Sequence, residues 1–226
     1  MAMAAPIPTI IIRALTVMHH HSVSILQSWF SPSFPIGGFS YSSGLETAIR
    51  LKHVHDKETL QDWIGFILKH GAGRNDALFV SAAFMGEECN DLCLALAPGR
   101  ERYLETIELG AAFTRTVNSS YELNLPRGLA YPVVVGMAAA RLDLDLRLTV
   151  QSFVQAFVTN LISVGVRSIP IGQTAGQSCL YELMPLIEGL AEEAFQSDLE
   201  DLGTASLGAD LVSLRHESDE IRIYRT

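Results

Sequence analysis

Basic residues are scarce in this sequence. Sixteen Lys and Arg stand against 25 Asp and Glu in 226 residues, a formal net charge of −9, and no basic run exceeds a pair. Phosphate backbones are gripped by clustered Lys and Arg, so no nucleic-acid partner is expected. Cysteine is rarer and odd in number: three thiols build no disulfide framework, which fits a reducing compartment and makes the cytoplasm the expected location. Nor does any stretch approach the roughly 18 to 20 uninterrupted apolar residues that cross a bilayer, so no membrane association is expected. The opening "MAMAAPIPTIIIRALTVM" is apolar, but it lacks a basic start and Arg13 interrupts it. Residues 1–21 are therefore read as a flexible leader, ahead of one domain over residues 22–226.

Reaction motifs are missing as well. A phosphate loop needs a Gly-Lys step, and the sequence has none. The run Gly38-Phe39-Ser40-Tyr41-Ser42 lacks the closing glycine of a nucleophile elbow, and no strand precedes it. His216-Glu217 has no second histidine at the metalloprotease spacing. Cys89 and Cys93 lie at i, i+4 without a nearby third ligand, and with Cys179 they read as small apolar side chains. With no set of nucleophile, base and oxyanion donor in view, neither an enzyme nor a cofactor is expected. One metal candidate stands: His19, His20 and His21, with His53 and His55 as further candidates, carry imidazoles suited to nickel, copper or zinc.

What the chain does have is apolar content, 48 % of residues, arranged with a helical period. Leu60, Trp63, Ile64, Ile67 and Leu68 share one face over residues 57–70, with Asp56 placed to cap the run. Val150, Val154, Phe157, Val158 and Leu161 repeat the pattern after Thr149. Leu180, Leu183, Ile187, Leu190 and Ala194 do so again, with Pro185 expected to bend that helix. Residues 100–121 read as one long helix, and 76–85 and 132–141 as shorter ones, Pro132 suiting a first turn. Strand–helix alternation is lacking. The prediction is an all-α, single-domain bundle of roughly eight to ten helices.

Three stretches are poorly explained by packing alone. In "SPSFPIGGFSYSSGLETAI" Pro35 fixes the entry and Gly37-Gly38 permits φ > 0 or close backbone approach. Phe39 and Tyr41 are then either presented outward or folded inward. Glu46 and Arg50, just beyond, read as a surface i, i+4 pair. In "GVRSIPIGQTAGQ" Pro170 and Gly172 break a helix, Thr174 is placed to cap the next, and Arg167 and Gln177 flank the break. The end, "SLRHESDEIRIYRT", follows a Leu207, Leu211, Leu214 stripe with arginines, an alternation of Ile221 and Ile223 about Arg222, and a final Tyr-Arg pair. Those are anchor residues suited to ordering on a partner. Removal of residues 218–226 is expected to leave stability nearly unchanged.

At these stretches the chain resembles the urease accessory protein F family, UreF. "PIGGFSYSSGLE", residues 35–46, resembles the family's first signature. Arg167, Pro170, Gly172, Gln173, Thr174, Gly176 and Gln177 match its "R-x-x-P-x-GQT-x-GQ". Arg215, His216, Glu217, Arg222 and Arg225 match its C-terminal "MRHETQYSRLFRS", from which Ser218-Asp219-Glu220 departs. The resemblance implies an all-α, dimeric chaperone for nickel insertion into urease. Such a protein joins the partner UreD or UreH, recruits the nickel-carrying GTPase UreG, whose phosphate loop supplies the nucleotide chemistry, and presents it to apo-urease. The residues so implicated in partner binding are Pro35, Ile36, Gly37, Gly38, Phe39, Tyr41 and Glu46 in the loop. Arg167, Gln173 and Gln177 in the middle and Arg215, His216, Glu217, Arg222, Tyr224 and Arg225 at the end complete the set. The rival expectation is a direct nickel carrier using the N-terminal histidines.

Overall fold

The computed structural model describes residues 21–203, 211–212, 214–215 and 223–225. Among them are nine α-helices and no strand. Helix α1 occupies residues 21–29. A loop with a 3-10 turn, Gly38–Ser40, leads to α2 (Leu45–Arg50), α3 (Lys57–His70), α4 (Ala72–Met85), α5 (Asn90–Ala95) and α6 (Arg100–Tyr121). Then follow α7 (Tyr131–Arg141), α8 (Leu146–Ser168) and α9 (Gly172–Gln196).

The periodic segments fold as their spacing dictates. Helix α3 occupies residues 57–70, and its buried face is Leu60, Ile64, Ile67 and Leu68. Its start is closed by a reciprocal cap: Asp56 accepts from the Thr59 N–H at 2.8 Å while the Thr59 hydroxyl accepts from the Asp56 N–H at 3.1 Å. Helix α6 spans the expected residues, and α7 carries Pro132 in its first turn, where a missing N–H costs nothing. The expected cap at Thr174 is not formed. Gly172, at φ +74°, turns the chain and opens α9 itself, so Thr174 lies inside the first turn. That helix runs on through Pro185 to Gln196.

Helix α4 packs against α7, α3, α8 and α9, while α8 lies along α9 and α6 along α7. The α4–α7 contact is close because Gly136 has no side chain: a Cβ there would overlap the Val80 carbonyl. Aromatic rings bind α1 and α6–α8 together. Trp29 meets Phe113 edge-on at 5.1 Å, Phe113 meets Tyr131 at 5.8 Å, and Tyr131 meets Phe153 at 5.4 Å. Helix α8 is long and apolar enough, by length and composition, to cross a membrane. Half of that apolar window is buried, the face that α8 packs against the rest of the bundle. The three cysteines are buried and free. Burial pushes the Cys89 and Cys179 thiols up to about 11, which keeps both protonated near neutrality.

Candidate functional site

The loop after α1 divides its two aromatics. Gly37, at φ +76°, reverses the chain into the 3-10 turn, a conformation that costs a residue with a Cβ and costs glycine nothing. Phe39, on that turn, is left 66 % exposed. Two residues on, Tyr41 is extended and 4 % exposed. Its carbonyl accepts from the Asn160 side-chain amide of α8 at 2.8 Å, and its hydroxyl donates to Glu108 Oε2 of α6 at 2.7 Å.

Onto this loop the last residues of the chain are clasped. The Arg225 N–H donates to the Ser40 carbonyl at 2.8 Å. Its guanidinium donates to Glu108 Oε1 at 2.9 Å and to the Tyr41 hydroxyl at 3.2 Å, with Nη1 2.6 Å from Glu108 Oε2. Glu46, on α2, takes the two preceding amides: Ile223 N–H donates to Oε1 at 2.9 Å and Tyr224 N–H to Oε2 at 3.0 Å. Tyr224 is buried, and the Arg167 guanidinium of α8 stands 5.2 Å from its ring centroid. All three signature stretches thus contribute to one network. Glu46, read from the sequence as one half of a surface pair along its own helix, holds backbone 177 and 178 residues away. No local spacing signals that role.

Charge complements geometry here. The Tyr41 hydroxyl, and after it Arg225, hold the Glu108 carboxyl below its ordinary 4.5. Burial, then the bond to Glu108, holds the Tyr41 phenol above its usual range, so it stays a donor. A depressed carboxyl contributes stability that is present above its ordinary pKa and lost as pH falls through the lower, folded value. Anisotropy of a dye on a cysteine appended after Thr226 should therefore be steady from pH 8 to 5 and fall below about 4.5. Constant anisotropy to pH 3.5, with helicity retained, would show that the ion pair does not hold the tail.

The remaining residues singled out by the sequence lie as follows. Pro35 is exposed, and Ile36, Gly37 and Gly38 are half-buried. Pro35, Ile36, Gly37, Tyr41, Glu108 and Arg225 line an open cavity of about 480 Å³ beside the clasp. Gln173 and Gln177 are exposed on the first turns of α9, and Arg215 is exposed. His216, Glu217 and Arg222, like His19 and His20, lie outside the described residues. His53 and His55 are exposed between α2 and α3, and the described residues contain no group of three or more His, Cys, Asp or Glu able to hold a metal. Sequence reasoning missed Glu108 and Asn160. Both sit on helices whose apolar stripe was the only legible signal.

Fold and clasp together define an all-α protein whose signature residues serve the docking of its own C-terminal residues. The UreF family model matches residues 54–184, more than half of the chain. The urease accessory protein UreF of Cereibacter sphaeroides (strain KD131) is 45 % identical over 205 residues, covering 89 % of this chain and 97 % of that protein. That of Rhodopseudomonas palustris (strain HaA2) is 40 % identical over 218 residues, 89 % and 92 % of the two chains. That of Roseobacter denitrificans is 36 % identical over 215 residues, 93 % and 96 %. The chain belongs to the UreF family of urease accessory proteins.

Proposed function

We propose that this chain is a non-catalytic, cytoplasmic adaptor in urease maturation that acts as a homodimer. It bridges the UreD/UreH partner and the GTPase UreG, modulates that GTPase, and so brings nickel to apo-urease. The observation that carries this reading is the convergence of the three signature stretches on the C-terminal clasp. Side chains invested in holding a chain end against a glycine loop build a surface, not a reaction centre, and Phe39 and Arg225 remain open at it. An exterior with few charges also suits large apolar contacts.

The test is to mix the chain with UreD/UreH, UreG and apo-urease and resolve the products by size-exclusion chromatography. Co-elution with UreD/UreH, and with UreG once that partner is present, is expected; separate elution of every component would end the reading. The nickel-carrier alternative is tested by removing residues 1–21. An adaptor keeps its partner binding, whereas a carrier loses stoichiometric nickel uptake in a titration.

A further inference from the structure

A second surface adjoins the clasp and shares the glycine turn with it. Between α1, the glycine loop and α8 runs a groove of about 640 Å³. None of its lining residues is charged, on a chain of net charge −9. One wall is aromatic, with Phe30, Phe34 and Phe39. The other is a row of uncharged hydrogen-bonding side chains on α8, among them Gln151, Gln155 and Thr159 at four-residue spacing. Among the described residues nothing hydrogen-bonds the Gln151 and Gln155 amides. Asn160, also in the groove, shows what such an amide does there: it donates to the backbone carbonyl of Tyr41.

We propose that this groove seats an uncharged segment of the adaptor's protein partner, its apolar side chains against the phenylalanines and its backbone groups against the glutamine row. The proposal rests on the adaptor reading and gives it a second contact surface. Charge selects the occupant: a charged segment would surrender its hydration with no counter-charge to meet it, whereas extended backbone carries neutral donors and acceptors that match primary amides. Length agrees, because Gln151 to Thr159 spans roughly 12 Å of helix, about four residues of extended chain. The groove is also tied to the clasp. Phe39 stands on the turn whose Ser40 carbonyl accepts from Arg225, so a docked tail fixes the rim against which the segment packs.

Two substitutions test this. Ala156→Trp fills the groove, and Gln155→Glu places a charge in it without adding bulk. Each should weaken binding of UreD/UreH or of the UreD/UreH–UreG complex at least tenfold. Circular dichroism and the anisotropy of a dye at the C-terminus, which reports the clasp, should stay unchanged. If the unsubstituted chain binds and both variants bind within twofold of it, the groove proposal fails and the adaptor reading stands. If the unsubstituted chain binds none of these proteins, both fail. A benzophenone side chain introduced at position 155 identifies the occupant in the purified complex. A cross-link to an uncharged partner segment supports the proposal; one to a second copy of this chain, or to a charged segment, overturns it.

Discussion

Arg102→Ala should cost about 3–5 kcal/mol, the loss found when one member of a buried ion set is removed and its partners are left uncompensated. Arg102 of α6 has an 11 % exposed side chain, and it pairs with Asp76 of α4 and with Glu105 one turn along its own helix, at 3.1 Å. Both carboxylates are as sheltered as the guanidinium, and α4 is the helix around which the bundle is packed. Without Arg102 two anions would lie side by side between α4 and α6. For a chain of this size such a loss lowers Tm by roughly 6–20 °C, read by calorimetry.

The pH dependence of that variant separates this account from simple loss of packing. Burial pushes the Asp76 carboxyl above its ordinary value, and the opposing pull of Arg102 offsets this in part. Removing the guanidinium removes the offset and sends the carboxyl higher. A carboxyl raised in the folded state contributes stability that is present below its unfolded pKa and lost as pH rises through the folded one. The deficit against the parent chain should therefore shrink as pH is lowered from 7 toward 4. Arg102→Met with Asp76→Leu and Glu105→Met should restore part of the loss, since apolar residues of similar volume often replace a buried ion set at little cost. A Tm shift under about 2 °C for Arg102→Ala would show that these ions do not hold α4 to α6.

Arg225→Ala should do the reverse: little to stability, much to partner capture. The Arg225 and Glu108 side chains are 58 % and 41 % exposed. An exposed ion pair contributes at most about 1 kcal/mol, and Tm should move by no more than a few degrees. Yet Arg225 is the residue whose main chain holds Ser40 and whose guanidinium joins Tyr41 to Glu108. Alanine keeps the N–H to Ser40 and leaves Tyr224 seated, but loss of the guanidinium removes the charge presented beside Tyr41 and Glu108 and should weaken UreD/UreH binding tenfold or more by calorimetric titration. Glu46→Gln, which keeps one accepting oxygen and sets an NH2 donor against the other tail amide, should give an intermediate loss. Full affinity in Arg225→Ala would remove the clasp from the recruiting surface. Truncation at residue 217 is the blunter experiment. Because Tyr224 is buried, it costs about 1–3 kcal/mol of lost burial, so stability does not stay quite as level as the tail's composition suggests.

The sequence by itself determined the helices. Periodicity placed α3 and α6, Asp56 and Pro132 marked two starts, and the excess of apolar over charged residues determined that helix stripes would meet in one core. Such signals live within a few turns of chain, where i, i+3 and i+4 neighbours are fixed by helical geometry. It also supplied the three stretches that identify the family. Only the tertiary structure decided what those stretches do to one another. Phe39 and Tyr41 are equivalent on paper, yet one faces water and the other Glu108, because α6 lies behind one and not the other. Glu46 and Arg50 look like a local pair, and Arg102 and Glu105 like another. Glu46 owes its role to a tail 177 residues on, and Arg102 to Asp76 across a helix interface. Whether a charge is buried and what meets it depends on which surfaces oppose each other once the chain is folded, and that is not written in the spacing of nearby residues.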